Sequence, residues 1–584
     1  MAEETNIDLE FSLLWPDYKA GKKTESERKS GSGKLFNQDL LERDLNVGVI
    51  VDSMKVRNEY KAFVNARLMD MCQDPEIITY RQEALQDFIN NSKLQIILED
   101  ELIPTVLQIM KWEHTNITHA EDIRKIAWRL DILKAFLDCC QILFKYFNEG
   151  KFTSHALLKL KKIVNDIFED PGFINLKEQM PFLLEKTQSV TSITVGINLD
   201  NELRPTEAVL LSIEPKPFKQ RSLISSLFGR DKNDEKYYGL GAFHSIFKDG
   251  SASAFETAIL KDLNSLVGDT FKHLANVLGK YEWIKTEFLK DLLPEIFFYT
   301  GAARLYNSVT GNGLPMCFPT ALPKSKNTMN LHNVYDLSLA LKILYDLGIT
   351  NLDNVVVTND ITMNEDFGEI FILTGANQGG KTTYTRAVGM AQLLFQAGLP
   401  VPGSGGEISP ADNIYTHFPE LEKNFIGEGR LGEECNRLST ILPRLTGSSL
   451  LLLNETLSST SHQECLFISE EIMKYLRTIG ARAIYATHLH ELAENLDELN
   501  SYTPENSVNK PSKFVSLVAG VNESEEMELL TPEGIVKIGG SKRTYKILPM
   551  PPKGISFAMD IAKTYGISYE QLVERQKEFR EETK

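Results

Sequence analysis

No stretch constrains what this 584-residue chain can fold into as tightly as Ile370-Phe371-Ile372-Leu373-Thr374-Gly375-Ala376-Asn377-Gln378-Gly379-Gly380-Lys381-Thr382-Thr383. The apolar residues read as a buried strand, the glycines as a tight loop and Lys381 onward as the first turn of a helix, in the P-loop spacing of Gly, four residues, Gly-Lys-Thr. Gly375, Gly379 and Gly380 let backbone N–H groups converge on phosphate oxygens without Cβ clashes, and the helix N-terminus turns its positive end toward the same anion. Lys381 is expected to reach the β- and γ-phosphates of a nucleotide, and the Thr382 hydroxyl to ligate Mg²⁺.

Around this loop the pattern is α/β. The P-loop helix is expected to end at Gly398 and Pro400, and two further buried strands follow, Ser449-Leu450-Leu451-Leu452-Leu453 and Ala483-Ile484-Tyr485-Ala486. Each runs into polar residues, Asn454-Glu455 and Thr487-His488. In a doubly wound parallel sheet the carboxyl ends of the strands meet the ligand, so these four residues should converge on the phosphates. Glu455 is the candidate for orienting or deprotonating an attacking water, and His488 for sensing the γ-phosphate. His490, one turn on, reads as structural.

Upstream the composition changes. Residues 17 to 34 are polar and lysine-rich, so residues 1 to 40 are expected to form a flexible lead-in. From about 41 the periodicity is helical, with Ile126, Leu130, Leu133, Phe136 and Leu137 on one stripe. Residues 193 to 213 alternate as a β-hairpin turning at Asp200-Asn201. A basic run follows: Lys216, Lys219, Arg221, Arg230, Lys232, Lys236 and Lys248, diluted by Asp231, Asp234 and Glu235. One long helix is then predicted from Phe255 to Pro294, pairing with the segment from His155 to Lys186, so that two arms carry a β tip. A plain helical bundle with a surface β excursion is the alternative.

The whole chain is 42% hydrophobic and carries a net charge of −17, which argues against indiscriminate nucleic-acid binding but leaves room for a local basic face. No run is apolar and long enough to span a membrane, the N-terminus has no secretory character, and a cytoplasmic protein is expected. The six cysteines include no C-x-x-C pair and are expected to be reduced and mostly buried.

These residues together resemble the MutS family of DNA-repair ATPases. Thr374 to Arg386, including Asn377 and Thr383, is similar to the family P-loop. Val401-Pro402, Glu407-Ile408, Pro410, Asp412 and Ile414 resemble the segment that follows it. Glu434 matches the acidic position of the signature segment, Thr460-Ser461 the loop after the catalytic Glu, and Thr487-His488 the switch histidine. Gly554-Ile555-Ser556-Phe557-Ala558 resembles the terminal dimer segment, and Tyr80-Arg81-Gln82-Glu83 the start of the family core. The resemblance implies a multidomain protein. A mainly α core with lever helices would span 41–345 and carry a clamp-like insertion at about 190–250. An α/β P-loop ATPase domain of ABC type would cover 346–550, and a helical dimerisation segment 551–584. It further implies ATP and Mg²⁺ as cofactors, with Asn454 beside Thr382 at the metal, and a homodimer closing on DNA, with Lys216, Lys219, Arg221, Arg230, Lys232 and Lys236 as candidate contacts.

Departures from the family pattern qualify this. With about 40 polar residues ahead of the core, there is no room for the two domains that read mismatches, one of which bears a Phe-x-Glu wedge. The triplet Phe418-Pro419-Glu420 lies in the ATPase region and is coincidental. The usual Walker B Asp is Asn454, the usual Gln after the P-loop helix is Ser404, and the signature Ser falls on Gly429. Asn454 supplies an oxygen without charge, which implies slow turnover. Guanine recognition is not expected, because Asn509-Lys510-Pro511-Ser512 lacks the base-reading Asp. The expected function is an ATP-dependent DNA clamp in mismatch repair, repair or recombination. An ATP-gated scaffold with little hydrolysis, or a clamp for structured RNA or a ribosomal partner, are the alternatives.

Overall fold

The computed structural model describes residues 9–29, 35–114, 122–188, 191–218, 274–279, 281, 284, 286–376, 378–419, 429–503, 511–522, 526–531, 534–539, 542–552 and 566–582. The chain divides into two compact units, one made of Met1–Glu10, Lys93–Lys151 and Leu158–Leu293, the other of Phe11–Ser92, Phe152–Leu157 and Pro294–Lys584. Among the described residues no helix is long and apolar enough to cross a membrane. All six cysteines are free thiols, four of them buried.

In the first unit the 28-residue helix Asp122–Glu149 buries the expected stripe of Leu130, Leu133, Phe136 and Leu137. The segment from His155 to Lys186 is two helices, His155–Glu169 and Pro171–Gln188. Asp170 breaks them apart, its carboxylate accepting from the Phe173 N–H at 2.8 Å. The ring of Phe168 stacks on Phe144 at 3.9 Å and packs against Phe173 at 4.9 Å, holding the corner. The expected hairpin is present as β1 (Ser192–Leu199) and β2 (Pro205–Glu214), antiparallel and with two irregularities of register.

The long helix predicted up to Pro294 is corrected. Residues 274–279 are helical, but turn-like bonds follow, Tyr281 N–H to Leu278 O and Ile284 N–H to Tyr281 O, and a new helix runs Glu287–Thr310 straight through Pro294. A proline inside a helix forfeits one hydrogen bond and costs about 3 kcal/mol. Phe297, Phe298, Tyr299, Ala302 and Ala303 are all buried along the helix beyond it, and that packing offsets the loss. Most of the predicted Phe255–Pro294 helix otherwise lies outside the described residues.

The second unit contains β3 (Met316–Cys317), β4 (Thr320–Ala321), β5 (Met329–Val334), β6 (Asn359–Met363), β7 (Ile370–Gly375), β8 (Val401–Pro402), β9 (Gly405–Ile408), β10 (Ile414–His417), β11 (Leu450–Asn454), β12 (Arg482–Ala486), β13 (Phe514–Asn522), β14 (Glu526–Thr531), β15 (Gly534–Gly539) and β16 (Lys542–Pro549). Its main sheet has the order β10-β11-β12-β7-β13-β16, parallel except for β16. Strands β7, β11 and β12 are buried at every position, which is why they read as unbroken apolar runs. A second sheet, β4-β9-β5-β6, draws two strands from ahead of residue 346.

The second unit thus takes in strands that precede residue 346, and the helices of 41–92 fall in that unit rather than in the first. The P-loop helix, Lys381–Gln396, packs on those early helices: a Cβ at Gly389 would come within 2.7 Å of Leu45, and Gln396 Nε2 donates to Cys72 O at 2.9 Å. Such long-range pairings carry no local sequence signal.

The flexible lead-in over 1–40 is corrected as well. Tyr18–Lys29 is helical, and Phe11, Leu13, Leu14 and Trp15 ahead of it are buried. This strap is held through its backbone. The Glu295 carboxylate accepts from the Ser12 hydroxyl and the Leu13 N–H, both at 2.6 Å. Tyr80 donates to Ser12 O, Tyr299 to Leu13 O and Arg81 Nε to Leu14 O, so these three backbone carbonyls are satisfied inside the protein. Arg81 also lies 4.5 Å from the Trp15 ring and pairs with Asp70 at 2.8 Å. The apolar run, not the average polarity of 17–34, decided the outcome.

Candidate nucleotide site

Register explains why the predicted residues meet. Asn454 at the end of β11 lies opposite Ala486 of β12, and Ala486 lies opposite Leu373 of β7, two residues before Gly375. The strand ends thus present Asn454, Glu455, Thr487 and His488 at the edge from which the P-loop departs.

The loop itself needs its glycines. Gly375 has φ +125°, and a Cβ there would stand 2.9 Å from the Ala519 Cβ on β13; a Cβ on Gly379 would stand 2.9 Å from Ala376 O. Gly380, at φ +94°, is the N-cap of the P-loop helix. Lys381 is buried, and its ammonium donates to Gly375 O at 2.9 Å and Ala376 O at 3.1 Å, inside the curl of the loop. Thr382 donates to Asn454 Oδ1 at 2.9 Å, which unites the two residues expected at the metal. Asn377 lies outside the described residues.

Glu455 has φ +49°, an unusual conformation for a residue with a Cβ, and its N–H donates to Ala486 O at 2.8 Å. Backbone strain of this kind concentrates where a side chain must be aimed. The carboxylate meets His488 Nε2 at 3.2 Å. That hydrogen bond is the main influence holding the Glu455 carboxyl below the usual carboxylate range, against the opposing effect of burial. His490 begins the next helix, and burial pushes its imidazole pKa down. Ser461 caps the helix His462–Ile479, and both Thr460 and Ser461 donate to Glu464. Glu434 sits on the helix Arg430–Ile441, 3.8 Å from Arg430.

A cavity of about 610 Å³ opens beside the loop, a size suited to a nucleotide-sized ligand. The P-loop from Gln378 through Thr383 and Glu455 form its polar side. Tyr335, Val355, Val356, Asn359 and Tyr545 line it as well, and none of these was anticipated from the sequence. The apolar triplet Val355-Val356-Val357 could have been read as a wall for a base. Tyr545 could not, because 164 residues of chain separate it from Lys381. It has φ +54° and is held by Asn359, whose Nδ2 donates to Tyr545 O at 3.1 Å and whose Oδ1 accepts from the Ile547 N–H at 2.7 Å.

The basic run is not gathered here. Lys216 follows β2 in the first unit, with its carbonyl accepting from Ser192; Lys219, Arg221, Arg230, Lys232 and Lys236 lie outside the described residues. The segment compared above with a dimer motif, 554–558, lies outside them too.

The family model for MutS domain V matches residues 371–526, and that for the MutS2 N-terminal domain matches residues 73–311. The DNA mismatch repair protein MutS of Prochlorococcus marinus (strain AS9601) is 33% identical over 196 residues, covering 33% of this chain and 20% of that protein. The protein of the same name from Chlorobium limicola is 38% identical over 143 residues, 24% of this chain and 16% of its own length. That of Caldanaerobacter subterraneus is 30% identical over 230 residues, 39% and 23% respectively. The matched region thus spans about a fifth of the length of these relatives.

Proposed function

The chain belongs to the MutS family, and from that premise we propose that it binds and hydrolyses ATP at the β7 loop and couples this to holding DNA, as a homodimer, in repair or recombination. The observation that carries the reading is the shared edge of β7, β11 and β12, where the P-loop, Lys381, Thr382 and the Glu455–His488 pair come together.

Each residue has a task there. The glycine-rich backbone and Lys381 bind the phosphates; Lys381 exchanges two carbonyl oxygens for phosphate oxygens without its charge leaving the loop. Glu455, kept ionised by His488, accepts a hydrogen bond from the attacking water and orients it. His488 fixes the direction of that carboxylate. Tyr335, Val355, Val356 and Tyr545 offer the base an apolar and aromatic environment. Mg²⁺, when bound, would be held by Thr382 with Asn454 behind it and would offset charge on the phosphoryl group. DNA as the polyanion is supported by the names of the relatives and by the basic run after β2, which stands out against the chain's acidic background.

Glu455→Gln tests the reading. The variant should keep its affinity for ATP and lose single-turnover hydrolysis by about 100-fold or more, since the amide keeps the shape and loses the base. Equal rates in variant and parent would remove Glu455 from the reaction.

A further inference from the structure

We infer that Asn454 makes this a site whose hold on nucleotide is nearly indifferent to Mg²⁺, because a neutral hydroxyl–amide pair occupies the place where a carboxylate would draw the metal in and push metal-free phosphates away. The inference rests on the nucleotide reading above and adds a property of this chain's own residues.

Three observations carry it. Asn454 is 4% exposed and its Oδ1 accepts from Thr382 at 2.9 Å, so the side chain beside the Thr382 hydroxyl is fixed, close and uncharged. The carboxylates lining the cavity, among the described residues, are Asp336 and Glu455. Asp336 is committed to capping the helix Leu337–Asp346: Oδ1 accepts from Ser338 N–H, the Ser338 hydroxyl and Leu339 N–H, and Oδ2 faces Arg386 at 3.4 Å. Glu455 is engaged with His488. Nor do the described residues contain any cluster of three or more His, Cys, Asp or Glu side chains able to hold a metal.

The physical consequence has two sides. A hard dication gains from anionic oxygens, and an amide oxygen offers a lone pair without the charge, so Mg²⁺ adds little through the protein. A carboxylate at this depth would also repel the phosphates of a nucleotide arriving without metal, and Asn454 does not. Restoring the charge should therefore create metal dependence from both ends.

The experiment is an equilibrium titration of the full chain with a fluorescent, non-hydrolysable ATP analogue, in excess Mg²⁺ and in EDTA, for the parent, Asn454→Asp and Asn454→Ala. The parent Kd should change by less than about threefold between the two buffers, whereas Asn454→Asp should bind about tenfold or more weaker in EDTA than in Mg²⁺. Asn454→Ala loses the Thr382 hydrogen bond without gaining charge and should stay as indifferent as the parent, which separates charge from local repacking. A parent that binds more than about tenfold tighter with Mg²⁺, or an Asp variant that behaves like the parent, overturns the inference while leaving the nucleotide reading in place. Failure of the parent to bind the analogue in either buffer overturns the nucleotide reading and this inference with it.

Discussion

Glu455 and Glu295, in one unit of one chain, are pushed in opposite directions by their surroundings. His488 holds the Glu455 carboxyl low through a hydrogen bond to the charged form. Removing that bond lets the pKa rise, so His488→Ala should move the acid limb of the kcat/KM profile to higher pH; an unmoved limb would mean that another group governs it. Glu295 is the reverse case, with burial raising its carboxyl from 4.5 to about 7 in spite of the bonds from Ser12 and Leu13. A raised acid favours the folded state while protonated, so its contribution is present below pH 4.5 and is lost as pH climbs toward 7. Between pH 5 and pH 8 the parent should lose up to about 3 kcal/mol that Glu295→Gln does not, an amount readable from urea midpoints at the two pH values. Equal losses would show that the carboxyl is already ionised in the folded strap.

At the scale of elements, what could be read from the sequence was what depended on neighbours in the chain. The unbroken apolar runs of β7, β11 and β12 announced strands buried on both faces, and each polar terminus marked its place at the site. The strap and the proline-containing helix escape a local reading for a shared reason. Phe11 to Trp15 is too short to show a period, and Pro294 is a strong stop signal, yet both outcomes depend on partners far away in sequence. The strap's energetic weight is testable: Trp15→Ala removes a ring that is 8% exposed and sits over Arg81, and should cost the second unit about 3 kcal/mol. A cost below about 1 kcal/mol would mean that the strap rides on the unit without holding it.

Across the whole molecule, the phosphate side of the site is legible because one motif and two strand ends encode it, whereas Tyr335 and Tyr545 reach the cavity only through the tertiary fold. Charge distribution is the other property of the whole chain. Against a net −17, the run from Lys216 to Lys248 has seven cations and three acids. If it meets duplex DNA, each phosphate contact releases a counterion and affinity falls steeply with salt. Reversing Lys216, Lys219, Arg221 and Arg230 to Glu should weaken DNA binding across sequences and flatten that slope by up to about 3.6 log units per log unit of salt, leaving ATP binding intact. Parent-like affinity and slope would assign DNA to another surface. The unit that carries the site is assembled from three separate stretches of chain, with most of the other unit spelled out between them. Ser12 meets Glu295 across 283 residues. At ribosomal speeds of about 5–20 residues per second, the apolar strap emerges about 15 to 60 seconds before its acceptor is made. Through that interval Phe11, Leu13, Leu14 and Trp15 are a nascent hydrophobic segment in search of cover, so the step most exposed to chaperones during synthesis comes at the first residues of the site-bearing unit and ends only when its closing helix is complete.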